Sequence, residues 1–410
     1  MTKTSDAGKS ASGSGQDGVW SPSEATAAKG AGLTDQISAP TGNGDSGRQQ
    51  EAPDPSGPRP RTGRRGGFRR RGRNSGARGP FYAALDLGTN NCRLLVAEPI
   101  ADSFRVVDSF SRIVRLGEGL SQTGMLSEAA MTRALAALRI CRNKINERKV
   151  AATRLIATEA CRQAQNGEHF LDRVKREIGL DLEVIDRRTE ARLAVAGCHG
   201  LLDPVAAGAI LFDIGGGSSE IVWLDRQKKQ RRRGLMRAWV SLPVGVVTLA
   251  ERHGGVDVGT QVFEDMVTDV QNEFHRFRAR DALKEALTER DFHFLGTSGT
   301  VTTLAGVHLD LPRYDRRRVD GIWMEDRDIE RMMCKITAME YDERVANPCI
   351  GKERADLVLA GCAIFEAMRR EWPCNRLRVA DRGLREGILV QLMRADGHLR
   401  AAGAKEKSRA

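Results

Sequence analysis

Ala209-Ile210-Leu211-Phe212-Asp213-Ile214-Gly215-Gly216-Gly217-Ser218-Ser219-Glu220-Ile221-Val222-Trp223 is an apolar run that stops at an aspartate, turns through glycines and serines, and resumes as apolar. That pattern predicts a buried strand, a tight turn and a second strand. Earlier in the chain, Phe81-Tyr82-Ala83-Ala84-Leu85-Asp86-Leu87-Gly88-Thr89-Asn90-Asn91-Cys92-Arg93-Leu94-Leu95-Val96-Ala97 follows the same plan, with Asp-x-Gly at the turn. The copies begin about one domain's length apart, which predicts two similarly built halves facing one another. A third loop, Gly296-Thr297-Ser298-Gly299-Thr300, follows an apolar strand at 292–295 and precedes a helical run. Strands alternating with helices around such loops argue for an α/β fold.

Working outward, the short Asp86-to-Asn91 link suits a hairpin rather than a helical crossover. A third strand is expected over 104–110. Ser127 is placed to cap a helix whose Met131, Leu135, Leu138 and Ile145 share a face. Further strands are expected at 155–158, 182–185 and 376–379, and further helices at 170–178, 190–200 and 354–370. A last helix opens after Gly383. Residues 227–233 read as a charged turn between strands, and 313–318 as a second basic stretch.

Composition separates the first 80 residues from the rest. They are Gly, Ser, Ala, Asp, Gln and Pro, then arginine, and bury too little apolar surface to offset ordering entropy, so disorder is expected. Arg59, Arg61, Arg64, Arg65, Arg69, Arg70, Arg71, Arg73 and Arg78 occur with no acid among them and supply much of the net charge of +11. Guanidinium forks onto phosphate, so the run is suited to non-specific contact with RNA or another polyanion; a solvated, solubilising arm is the alternative. The eight cysteines form no C-x-x-C pair and no zinc-like cluster with histidine, which suits reduced thiols in a cytoplasm. No apolar run approaches membrane-spanning length, and no membrane association is expected.

The chemistry is expected in the loops. Missing Cβ atoms let several backbone N–H groups converge on one anion. Gly88, Thr89 and Asn90, then Gly215, Gly216, Gly217 and Ser218, then Gly296, Ser298, Gly299 and Thr300 are therefore candidate phosphate-binding residues. Asp86 and Asp213 stand where strands become loops, so they are placed to hold Mg²⁺ directly or through water, with Glu220 as a further acid. The alternative is that each aspartate caps its own loop. Phosphoanhydride hydrolysis needs the phosphoryl group held, its charge neutralised and a water aligned, with a carboxylate as base. Spacing alone does not choose that carboxylate.

Ala83-Ala84-Leu85-Asp86-Leu87-Gly88-Thr89-Asn90, Glu190-Ala191-Arg192-Leu193, Asp213-to-Glu220 and Gly296-to-Thr300 occur in that order, with Leu126-Ser127-Glu128-Ala129, Arg354-Ala355-Asp356 and Leu384-Arg385-Glu386-Gly387. Together they closely resemble the exopolyphosphatase/guanosine pentaphosphate phosphatase (Ppx/GppA) family, over residues 81 to about 393. The resemblance implies an actin-like fold of two ribonuclease-H-like domains with the site in the cleft between them. It implies domains at 81–193 and 194–400, the last helix packing back on the first, flanked by the tail 1–80 and a charged tail 401–410. It also implies Glu190 as general base, Asp213, Glu220 and Asp86 as metal ligands for Mg²⁺ or Mn²⁺, and Arg93 touching substrate phosphate. A homodimer is a further expectation, with no interface legible.

Three departures stand out. Thr89-Asn90-Asn91 replaces the family's frequent Ser-Asn-Ser. Arg188 and Thr189 stand where acids commonly precede the Glu-Ala-Arg-Leu motif. The chain resembles the short form, without a C-terminal helical domain. The implied substrates are inorganic polyphosphate and guanosine pentaphosphate, the arginine clusters and an aromatic content of 5 % leaning towards polyphosphate. Two other readings are a weakly catalytic or non-catalytic alarmone- or RNA-binding regulator using the basic tail, and an actin-like kinase or chaperone ATPase.

Overall fold

The structure, a computed structural model, describes residues 79–226 and 235–399, which fall in one compact unit. The expected tails, Gly79 and Pro80 apart, and the charged turn at 227–233 lie outside the described residues.

Each Asp-Gly unit folds as an antiparallel hairpin. β1 (Tyr82–Leu87) pairs with β2 (Asn91–Ile100), and β3 (Ser103–Ile113) continues the meander. β4 (Ala152–Ala157) lies parallel to β1 on its other side, and β5 (Glu183–Val184) follows β4, giving the order β3-β2-β1-β4-β5. The second unit repeats this: β6 (Gly208–Ile214), β7 (Ser219–Asp225) and β8 (Met236–Leu242) form the meander. β9 (Phe292–Thr297) runs parallel to β6, then come β11 (Arg376–Ala380) and the edge strand β10 (Trp323–Glu325). The order β10-β11-β9-β6-β7-β8 is the first sheet's plan with one strand added.

Both sheets are covered on both faces, as central strands without polar alternation require. Along β1, Ala83, Leu85 and Leu87 enter one core while Tyr82 and Ala84 enter another. Along β6, Ile210, Phe212 and Ile214 face the largest core, and Ala209 and Leu211 the opposite one. Burial of each large apolar side chain contributes about 1.5–3 kcal/mol before ordering costs.

The helix Glu128–Glu147 is capped by Ser127, whose side chain accepts from Ala130 N, and it buries Met131, Leu135 and Leu138. Several boundaries differ from expectation. The strand expected at 182–185 shrinks to Glu183–Val184, and the helix expected at 170 begins at Gly167. The helix expected at 354 begins at Val358, because Gly351, in left-handed backbone at φ 73, leads into turns. The helix expected from Glu190 spans Arg187–Cys198, because Asp186 accepts from Thr189 N at 2.7 Å and caps it three residues earlier.

That helix lies between the sheets. Leu193 packs into the core under β1, whereas Ala191, Ala194 and Cys198 pack under β6. The last helix, Leu384–Ala395, joins the β1 core through Leu384, Ile388, Leu389 and Met393, and Tyr82 Oη donates to Asp396 at 2.7 Å. The two helices touch backbone to backbone at Gly197 and Gly387, where a Cβ would collide with the carbonyl oxygens of Gly383 and Leu193.

Candidate active site

The three loops meet. The turn after β1 is tied from outside: Val114 N and Arg115 N donate to Asn90 O, and Gly117 N to Thr89 O. The turn after β6 is tied likewise by Val246 N to Gly215 O and Val247 N to Gly216 O, at 2.9 and 2.8 Å. These bonds consume carbonyls and leave the amides of Thr89, Asn90, Gly216 and Gly217 without backbone partners among the described residues. The third loop ends in the helix Gly299–His308, whose first amides are free for an anion. The first two loops are in contact: a Cβ on Gly216 would lie 3.0 Å from Thr89 Cβ and 3.2 Å from Asn90 N.

Between them is a cavity of about 130 Å³ lined by Asp86, Gly88, Thr89, Asn90, Arg93, Glu190, Asp213, Gly215, Gly216, Gly217, Ser218, Glu220, Ser298, Gly299 and Thr300. Every residue singled out from the sequence is there except Gly296. That glycine lies inside β9, and its missing side chain makes room for Phe212 and Val301 rather than for phosphate. Thr158, Glu159, Thr303 and Arg354 line the cavity as well. A signal for Thr158 and Glu159 existed: they follow the carboxyl end of a parallel strand beside β1, where open α/β sheets place ligands.

The acids differ in their surroundings. Asp86 and Asp213 accept no hydrogen bond among the described residues, so neither caps its own loop. Burial raises the Asp86 carboxyl above its ordinary range despite Arg93 and Arg385. Burial also pushes Asp213 up to about 6, with Arg93 and Arg385 opposing and Asp86 adding. Glu220 accepts from Ser218 Oγ at 2.9 Å and Ser241 Oγ at 2.7 Å, yet burial and Asp213 push it up to about 7. Glu190 is raised well above the carboxylate range by burial and then by Glu220, against the pull of Arg162. Glu159 goes the other way: burial would raise it, but Arg187 and Arg162 hold it below its ordinary value.

Among the described residues the Glu190 carboxylate receives one hydrogen bond, from Arg162 Nη2 to Oε2 at 2.9 Å, which leaves Oε1 free. Glu159 is saturated by Arg162, Gln163 and Arg187. Two polar atoms are buried without partners in the same cavity, Asn90 Oδ1 and Ser298 Oγ, and buried polar atoms of this kind call for a ligand or water. Ser298 also sits at φ 92, a strained backbone that turns the third loop inward.

A divalent cation fits this donor set. Five carboxylates line the cavity against Arg93 and Arg354, so an anionic substrate needs further positive charge there. The described residues hold no ready cluster of three acid, histidine or cysteine ligands. Asp86 and Asp213, both without hydrogen bonds, would hold Mg²⁺ in its usual manner, through one or two carboxylates, waters and substrate phosphate. Glu220 keeps only Oε2 free of its serine partners.

A family model described as the Ppx/GppA phosphatase family matches residues 95–396. Exopolyphosphatase 2 of Mycobacterium tuberculosis is 28 % identical over 323 residues, covering 76 % of this chain and 98 % of its own length. The guanosine-5'-triphosphate,3'-diphosphate pyrophosphatase of Photobacterium profundum is 27 % identical over 333 residues, covering 77 % of this chain and 59 % of its own. Among solved structures, the Ppx/GppA family member of Aquifex aeolicus has a TM-score of 0.63 at 30 % identity, over 78 % of this chain and 99 % of that one. An exopolyphosphatase from Cytophaga hutchinsonii has a TM-score of 0.67 at 26 % identity, over the same shares. The repeated sheets thus form the actin-like two-domain α/β fold of these neighbours.

Proposed function

The chain belongs to the Ppx/GppA phosphatase family, and from that premise we propose that it hydrolyses the terminal phosphoanhydride of inorganic polyphosphate and of guanosine pentaphosphate. The relatives' names support a phosphoanhydride hydrolase of this general kind. One observation carries the assignment of the base: Glu190 has a free oxygen in the phosphate-loop cavity and an upward-shifted carboxyl, while Glu159 beside it is saturated.

The loops' unpaired amides hold the terminal phosphoryl group, with Arg93 and Arg354 balancing its charge. A water bound at Glu190 Oε1 attacks the terminal phosphorus in line; its proton passes to Glu190 as the bridging P–O bond breaks and the shortened chain departs. Mg²⁺, when bound at Asp86 and Asp213, supplies charge neutralisation on the phosphate oxygens. The unpartnered Ser298 hydroxyl can donate to the same phosphate, and the unpartnered Asn90 Oδ1 can accept from a bound water. The cavity is open to solvent and lined by the three loops, so a terminal phosphate group can enter it while the rest of the substrate extends outward. The arginine clusters and the aromatic content of 5 % favour an inorganic chain as the better substrate.

No helix among the described residues is long and apolar enough to cross a membrane, and all eight cysteines are free thiols. The free thiols support a cytoplasmic enzyme. The test is phosphate release from long polyphosphate, guanosine pentaphosphate and ATP with Mg²⁺. Release is expected from the first two, fastest from polyphosphate, and Glu190→Gln lowers it by about 10²–10⁴-fold. Full activity in Glu190→Gln would remove the mechanism.

A further inference from the structure

Arg162 is not explained by phosphate binding, because it does not line the cavity. It sits on the one-turn helix Glu159–Gln163 that follows β4, and its guanidinium is spent on four bonds. Nη1 donates to Ile185 O at 2.6 Å, the residue just before the Asp186 cap of the Glu190 helix. Nε and Nη2 donate to Glu159 Oε2 at 3.0 and 2.5 Å, and Nη2 also donates to Glu190 Oε2 at 2.9 Å. One rigid, planar group therefore holds both the entrance to the helix and the carboxylate at its first turn.

The guanidinium is itself held. Glu159, with a side chain only 3 % exposed, is fixed on its other oxygen by Arg187 Nη2 and Gln163 Nε2, each at 2.5 Å. Arg187, Glu159, Arg162 and Glu190 thus form an alternating row of charges that ends at the cavity. A carboxylate held on one oxygen by a fixed guanidinium has fewer directions open to its other oxygen.

Resting on the reading of Glu190 as the base, we infer that Arg162 is the positioning residue that aims Glu190 Oε1 at the attacking water, and that Glu159 anchors Arg162. Arg162 lies off the cavity, and Glu159, which lines it, has both oxygens occupied by Arg162, Arg187 and Gln163, so in this scheme both act through Glu190. Their loss slows the chemical step and leaves substrate binding almost as it was.

The experiment is a double-mutant cycle on polyphosphate with Mg²⁺, with each variant's melting temperature measured. Arg162→Lys keeps the charge but not the fork, so kcat is expected to fall about 10-fold or more with KM changed less than about twofold. Arg162→Gln falls further, and Glu159→Gln shows the same kcat-weighted signature. In Arg162→Lys/Glu190→Gln the lysine adds no loss beyond that of Glu190→Gln alone, because an arginine acting only through Glu190 has nothing left to position. Normal kcat in a folded Arg162→Lys, a KM-dominated defect, or losses that multiply in the double variant would overturn the inference while leaving Glu190 as base. Should Glu190→Gln alone retain full activity, the base assignment fails, and the inference with it.

Discussion

Arg115 Nη1 lies 2.8 Å from Asp356 Oδ2, joining the segment after β3 to the turn before the helix Val358–Glu371. The pair ties the first sheet's side of the cavity to the second's, close to cavity-lining Arg354 and Leu357. Glu251 makes a second tie by accepting from Gly119 N at 2.8 Å.

Breaking the first tie loosens the cleft without unfolding the protein. The Arg115 and Asp356 side chains are 32 % and 23 % exposed, so the pair contributes only about 1 kcal/mol. Arg115→Ala is expected to lower the melting temperature by a few degrees at most. Hydrogen exchange at 88–91 and 215–217 should accelerate, as measured by mass spectrometry.

The buried acids make the metal-free protein less stable as pH rises. Asp213 at about 6 and Glu220 at about 7 lie above their unfolded values, so the folded state binds more protons. The stability they favour is fully present below about pH 4 and is lost as pH rises through about 6 for Asp213 and about 7 for Glu220, on the order of 2–3 kcal/mol per group. Glu159 and Glu386, held low by arginines against burial, act oppositely: their contribution is lost as pH falls through their folded pKa. Urea unfolding in chelator between pH 5 and 8 should show the decline, and Asp213→Asn should flatten it.

Mg²⁺ should bind the free protein weakly, because among the described carboxylates lining the cavity only Asp86 and Asp213 are without hydrogen bonds. Calorimetric titration should give tighter binding when phosphate is present, and Asp86→Asn or Asp213→Asn should abolish that gain.

The glycine contact between the Glu190 helix and the last helix sets their spacing. A methyl on Gly387 would meet the Leu193 carbonyl, with its carbon only 2.8 Å away. Gly387→Ala is therefore expected to destabilise by about 1–3 kcal/mol in urea unfolding, through overpacking.

Residues 1–80 are expected to be dispensable for chemistry. Their deletion should leave turnover of tripolyphosphate nearly intact while removing low-salt binding to RNA in gel-shift assays. A collapse of turnover would mean that the tail belongs to the site.

The hairpin loops were readable because their signals are local: an apolar strand, an aspartate, a glycine turn. Helix starts were less readable. Asp186 moved one start upstream by capping, and Gly351 moved another downstream by turning the chain. Gly296 looked like a phosphate residue beside Ser298 and Gly299, but its role depends on Phe212, a partner 84 residues away in sequence.

The sequence by itself determined the two Asp-Gly units and their repeat, because hydrophobic pattern and turn chemistry act over a few residues, while the family followed from the resemblance of its ordered motifs. Only the tertiary structure decided how the acids differ. Glu159 and Glu190 are both glutamates near helix starts. One is saturated by Arg162, Arg187 and Gln163, whereas the other keeps a free oxygen in the cavity. That difference arises because the parallel pairing of β4 with β1 brings Arg162 across to a carboxylate 28 residues away.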